Sequence, residues 1–372
     1  MNFTQVLDIS STWFIKIAMP VVASYHFMAG NIFLNTAAEE AYGLEKMAND
    51  VLIPFQYLFA GHVAICIAEE EHEGHYELKQ RFDYQEGFFI KTTSSVLALP
   101  ASVVLGSALK GLAYCFPETR ERHALIAASL HNIYIESNIH MYEDLGIKIV
   151  DVDTMEKIDA PQYAREPGAE NKLKHEKALL KEISLIFKEY QIPYWVDCGT
   201  CLGAYRYGGV IPWDFDIDIS VLEPDFENVR SALNALDPDK YTVQDWSSRD
   251  KPCTYIRIYI KETRNHLDLY HFKIDADDKT IQYIISNEGS AFLPESWKKR
   301  ERSYAKKTPF DIVFPLKRAS FDGFEVLVPN KTKEYLQMRY GENIAPVKLY
   351  DSKTGAYEKD PSHPYWKASY SR

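Results

Sequence analysis

The sequence predicts an α+β protein, with a mainly helical, apolar region over residues 1–160 followed by a domain of mixed strands and flanking helices over residues 161–372. Three observations predict it. Long apolar runs crowd the first 160 residues, an amphipathic helical period opens the second part, and short segments with apolar residues at every second position follow, separated by glycine-bearing turns. At 372 residues the chain has room for two such domains, and its content of 46% hydrophobic and 26% charged residues is that of a folded protein.

The apolar runs come first, at 13–34, 51–68 and 95–116. The second has no Asp, Glu, Lys or Arg across 18 residues, the lower limit of a membrane span. Each run is also interrupted, by Lys16 and His26, by Pro54 and His62, and by Pro100 and Lys110. No basic residue precedes the first, which argues against a cleavable signal peptide. Two readings stay open: a buried helical domain, or membrane association through residues 13–116. The Gly, Ala, Ser and aromatic content favours the second.

Charge and cysteines narrow the function classes. With 42 basic and 53 acidic residues the formal net charge is -11, which repels a phosphate backbone, and nucleic-acid binding is disfavoured. Five cysteines at 66, 115, 198, 201 and 253 are too few and too scattered for a disulfide framework, so a reducing, cytoplasmic location is expected, with or without membrane association. Cys198 and Cys201 form a C-x-x-C, but no second pair follows, and packing is preferred to redox or zinc chemistry.

From 164 the periods change. Leu173, Leu179, Leu180, Ile183, Ile186 and Phe187 recur at helical spacing up to residue 190, and "IPYWVD" (192–197) is a short apolar strand. After the turn "CGTCLGAYRYGG" comes "DFDIDISV" (214–221). Here Phe215, Ile217, Ile219 and Val221 alternate with Asp214, Asp216, Asp218 and Ser220, predicting a strand with one buried and one acidic face. The chain has other D-x-D copies, at Asp151/Asp153, Asp237/Asp239 and Asp275/Asp277, so the pattern alone says little. On a half-buried strand, however, neighbouring carboxylates of one face repel unless a cation lies between them. A calcium loop is ruled out by Ile219, which stands where an EF-hand needs glycine. Gly199 and Thr200, opening a helix after a strand, present backbone N–H groups and a hydroxyl suited to phosphate, and Arg206 can neutralise a further oxygen. The competing reading makes Gly199 and Gly203 packing glycines. "TYIRIYI" (254–260) and "HLDLYHF" (266–272) are the next strands. Asp268, isolated between Leu267 and Leu269, is costly to bury alone and is the expected third ligand beside Asp216 and Asp218. His266 and His271 are read as rim or core residues.

The ordered motifs "YWVDCGTCLGAYRYGGVIPWDFDIDI", "HLDLY" and "VFPLKRASFDGFEVLVPNKTKEYLQMRYGEN" resemble the LicD and fukutin-related family of phosphotransferases over about residues 170–345. Residues 1–160 are not covered. Bacterial members commonly have W-D-D-D-I-D where this chain has Phe215 in the middle, and Cys201 stands where leucine is usual. The resemblance implies a nucleotidyltransferase-like mixed β-sheet with flanking helices. It implies transfer of a phosphorylated alcohol, of phosphocholine or ribitol-phosphate type, from a CDP-linked donor to a hydroxyl of a glycan or glycolipid, releasing CMP. Asp216, Asp218 and Asp268 would then hold Mg²⁺ (or Mn²⁺), with Asp268 also acting as general base. Gly199, Thr200, Gly203 and Arg206 would face the phosphates. Lys317 and Arg318 would reach a phosphate or form a surface pair at a strand end.

Two other classes remain: a D-x-D glycosyltransferase using a nucleotide sugar, and a non-catalytic membrane-associated scaffold. A nucleotidyltransferase moving a nucleoside monophosphate is a nearer variant. "SFDGFEVLVPN" predicts a hairpin turning at Asp322-Gly323, "KTKEYLQMRYG" a closing helix ended by Gly341, and the polar stretch beyond 345 an extended tail.

Overall fold

The computed structural model describes residues 43–55, 57–58, 64–67, 76–79, 87–121, 124, 135–149, 153–157, 162–247, 251, 253–286, 288 and 295–367. The apolar run 13–34 and Asp151 lie outside them. The chain separates into two compact units, one from residues 1–133 with 248–252 and 289–293, the other from 134–247, 253–288 and 294–372.

In the first unit, helix α1 (Gly43–Val51) precedes a hairpin of β1 (Ala64–Ile67) and β2 (Tyr76–Lys79) and the long helix α2 (Phe88–Ala113). The hairpin is the exception to the helical expectation. Ser102 of α2 donates to the Val51 carbonyl at 2.7 Å, tying the two helices. Among the described residues α2 is the one helix long and apolar enough to cross a membrane, and its most apolar stretch is only 22% buried.

The second unit begins before the expected boundary at 161. Helix α3 (Ile139–Asp144) buries Tyr142, whose hydroxyl donates to Asp225 at 2.7 Å. Helix α4 (Lys174–Glu189) buries Leu179, Leu180, Ile183 and Phe187, as its period predicts. Beyond it lie β3 (Tyr194–Val196), helix α5 (Cys198–Tyr207), β4 (Ile217–Leu222), helix α6 (Phe226–Ala232), β5 (Tyr241–Asp245), β6 (Tyr255–Ile260), β7 (His266–Asp275) and β8 (Thr280–Tyr283). Helix α7 (Glu295–Tyr304), β9 (Thr308–Pro309), β10 (Lys317–Phe321), β11 (Phe324–Val328), helix α8 (Thr332–Tyr340), β12 (Lys348–Asp351) and β13 (Ala356–Lys359) complete the chain.

The main sheet runs β3-β4-β7-β6-β5, with β8 on the far half of β7 and β9 beyond it. Only β4 and β7 are parallel. Their register sets Asp218 opposite Asp268, and the antiparallel pairing of β7 with β6 sets Asp268 opposite Arg257. One rung of the sheet therefore carries two acids and a base side by side. Ile217, Ile219, Leu267, Leu269, Ile256 and Ile258 take the alternate positions and are buried. Trp195 anchors the core in edge-on contact with Phe272 and Phe314.

Two expectations need correction here. The acid strand starts at Ile217, leaving Phe215 in the preceding loop and 74% exposed, so the alternation read from residue 214 overruns the strand by three residues. The C-terminal stretch is a hairpin, β12 with β13, whose Tyr357 packs on Trp213 and accepts a hydrogen bond from the Glu166 N–H. The β10–β11 hairpin does turn at Asp322-Gly323, both in the left-handed region with φ of 47° and 91°, the geometry of a two-residue loop. Gly341 ends α8 at φ 91°.

Candidate functional site

Asp216 sits at the mouth of β4, Asp218 on it, and Asp268 beside it on β7. One carboxylate oxygen from each lies within 4.8 Å of the others. Asp218 and Asp268 are buried and Asp216 half-buried. Burial, and then the charges of Asp214 and Asp268, push Asp216 up to about 7; burial and the same neighbours, Asp216 foremost, push Asp218 well up. Carboxylates this close cannot all ionise without a compensating cation. The donor set, all hard oxygens with two members buried, fits a small divalent ion such as Mg²⁺ or Mn²⁺.

The surrounding residues fix this geometry. Thr200 of α5 is buried, and its hydroxyl accepts the Asp218 N–H at 2.9 Å, pinning the helix start to the acid strand. Its role is therefore to position Asp218, where an open phosphate ligand was expected. At Gly199 a Cβ would stand 2.3 Å from Asp214 Oδ2, so this glycine lets the acidic loop close onto the helix N-terminus. Gly203 is a packing glycine: a Cβ there would meet the Gly209 carbonyl at 2.4 Å. Arg206 is also corrected. It is buried, and its guanidinium donates to the Ile344 and Ala345 carbonyls at 2.7 and 2.9 Å, holding the C-terminal segment and not a phosphate. Lys317 pairs with Glu156 at 3.0 Å and Arg318 with Glu325 at 3.2 Å, which is the surface-pair reading.

Burial pushes both the Cys198 and Cys201 thiols well up, with Asp197 the next cause, and both are free. A thiol held protonated is a poor nucleophile or metal ligand, so packing is their role. His271 is a core residue: fully buried, with Nδ1 2.9 Å from the Thr254 carbonyl, and lowered to about 3 by burial. His266 lies on the rim, with Nε2 3.6 Å from Asp268.

Sequence reading missed two residues. Arg257 grips Asp268 with both prongs, Nε to Oδ1 at 2.7 Å and an NH2 to Oδ2 at 3.1 Å, and its guanidinium lies over Trp246, Tyr255 and Tyr259 at 5.1, 5.5 and 5.9 Å. Its signal was available, since a lone charge in "YIRIYI" raises the same question as the lone Asp268 in "HLDLY". Asp197 caps α5 through the Cys198 N–H at 2.7 Å and also accepts from Ser220 (2.7 Å) and Tyr335 (2.9 Å). Its ionic partner is the buried Arg339 of α8, at 3.1 Å. That link joins residues 142 positions apart and left no local trace.

The mixed sheet thus presents acids from the helix-led strand β4 and from its parallel neighbour β7 around one point. Residues 191–331 match the family model described as LicD/FKTN/FKRP, nucleotidyltransferase domain, as the three motifs led us to expect. Among relatives, the uncharacterized protein RP689 of Rickettsia prowazekii is 27% identical over 165 residues, covering 44% of this chain and 53% of its own length. Ribitol 5-phosphate transferase FKRP of Mus musculus is 23% identical over 41% of this chain and 28% of its own, and ribitol-5-phosphate transferase FKTN of Mus musculus 25% over 51% and 37%. The matches thus span about half or less of each relative. The solved CD-NTase CdnG of Bradyrhizobium diazoefficiens in complex with GTP aligns over 37% of this chain and 44% of its own at 14% identity and a TM-score of 0.20, too slight a likeness to support the fold.

Proposed function

We propose that the protein is a divalent-metal-dependent phosphotransferase. It would move a phosphorylated alcohol, of ribitol-phosphate or phosphocholine type, from a CDP-linked donor to a hydroxyl of a glycan or glycolipid, with release of CMP. The convergence of Asp216, Asp218 and Asp268 is the observation that carries this reading. Support comes from the family match over 191–331 and from two relatives named as ribitol phosphate transferases. Asp216, Asp218 and Asp268 would hold Mg²⁺ or Mn²⁺, which when bound neutralises the charge of the diphosphate and of the departing CMP. Thr200 keeps Asp218 in register, and Gly199 leaves space for the acidic loop against α5. Asp268 takes the proton of the acceptor hydroxyl, which requires that one of its oxygens be freed from Arg257.

The test is turnover with a panel of CDP-ribitol, CDP-glycerol, CDP-choline, CTP, UDP-glucose and GDP-mannose with and without Mg²⁺, scoring the nucleotide released. Magnesium-dependent CMP release from one CDP-alcohol is expected. UDP or GDP release would replace this reading with the glycosyltransferase, and pyrophosphate release from CTP with transfer of a nucleoside monophosphate.

We also propose that the N-terminal unit contacts lipid through α2, on which Phe89, Ile90, Leu97 and Val104 are all more than 70% exposed. The chain should float with liposomes in a density gradient. Remaining with the soluble fraction at low and high salt alike would refute it.

A further inference from the structure

In the rung Asp218–Asp268–Arg257 the outer member is a cation already in place. Arg257 takes both oxygens of Asp268, and an NH2 also donates to the Tyr255 hydroxyl at 2.5 Å. Trp246, Tyr255 and Tyr259 surround the guanidinium with their rings, and Tyr255 stacks in turn on Tyr270, with ring centroids 5.1 Å apart and planes within 4°. The guanidinium therefore has a support that is independent of Asp268. The aromatic rings and the Tyr255 hydroxyl are partners that remain with the guanidinium if the carboxylate is drawn away, so Arg257 can release Asp268 without becoming an unpartnered charge. Arg257 also lies close enough for its charge to act on Asp216.

We propose that Arg257 is an exchangeable counter-cation: it occupies Asp268 in the metal-free protein, yields one of those oxygens to the entering divalent ion, and presents the freed edge of its fork to the diphosphate of the donor. Arg257 is thereby a donor-positioning residue, and the inference rests on the metal-dependent reading above. The planar fork matches phosphate oxygens as it matches a carboxylate. The exchange also orders events, since the arginine becomes available to the donor only after the metal has claimed Asp268.

The test is calorimetric titration of Mn²⁺ into nucleotide-free wild type, Arg257→Gln and Arg257→Lys, followed by the donor KM of each. A resident cation competes with an incoming one, so Arg257→Gln should bind Mn²⁺ about tenfold more tightly, the scale set by one charge a few ångströms away in a partly solvated site. The KM for the CDP-linked donor should rise at least tenfold in the same variant. Arg257→Lys keeps the charge but loses the two-pronged grip. It should tighten Mn²⁺ by a smaller factor, and it decides the matter if the glutamine variant does not fold. Weaker Mn²⁺ binding in the folded variants would make Arg257 a support for Asp268 and overturn the proposal while leaving the metal site standing. Absence of Mn²⁺ binding by wild type would overturn both.

Discussion

Replacing Asp197 with alanine is expected to remove about 3–5 kcal/mol of stability, the usual consequence of leaving one member of a buried ion pair alone. For a domain of this size that is a fall of roughly 10 °C in melting temperature. Asp197 is fully buried and its two oxygens take four donors: the Cys198 N–H, Tyr335, Ser220 and Arg339. These belong to the start of α5, to the acid strand β4 and to the closing helix α8, so one carboxylate joins three elements. Removing it strands the Arg339 guanidinium among Phe272, Tyr283, Tyr304 and Tyr335 with no carboxylate partner at Asp197. Arg339→Met should cost less, because Asp197 keeps its three neutral donors. The double variant should lose less than the sum of the singles by at least about 1 kcal/mol, as coupled partners do. Thermal and urea melts of the four proteins check this, and additive or sub-kilocalorie losses would contradict it.

Asp218→Asn should have the largest effect on activity, at least a hundredfold loss, about the size seen when a single electrostatic stabiliser of a transition state is removed. It should at the same time make the metal-free protein more stable at pH 8. The sign follows from proton binding. Burial and the neighbouring acids raise Asp216 to about 7 and Asp218 well above its ordinary value, whereas in the unfolded chain both release protons near pH 4. Between those limits the folded state binds more protons than the unfolded one. Its stability therefore falls as pH rises from about 4 through 7, by on the order of a few kcal/mol. Below pH 4 both states are protonated and the penalty disappears. Millimolar Mg²⁺ should restore wild-type stability at pH 8 by binding only the folded form, and should do nothing for the asparagine variant. Melting curves across pH with EDTA or Mg²⁺ read this out. Equal magnesium shifts in both proteins would show that the ion binds elsewhere.

What could be read from the sequence was whatever local spacing encodes. The period of α4, the strands β6 and β7 and the hairpin turn at Asp322-Gly323 all follow from alternation or from residues with unusual backbone freedom. Asp268 stood out because an acid between two leucines needs a partner. What could not be read depended on distant chain. Arg206 has the spacing of a phosphate ligand, and only the return of residues 344–345 shows that it holds carbonyls instead. Gly203 resembles a cradle glycine until the Gly209 carbonyl is seen against it. Phe215 continued the alternation by chance, because the loop before β4 has the same polar-apolar period as the strand. Arg339 acts on Asp197 from a helix that the sequence marks only as a closing element.

The most direct measurement is a Mn²⁺ soak of crystals of the protein with anomalous diffraction at the manganese edge. The account predicts one or two peaks bounded by the carboxylates of Asp216, Asp218 and Asp268, absent in Asp218→Asn. A well-diffracting soaked crystal with no peak there, or with its strongest peak at another acidic cluster, would contradict it.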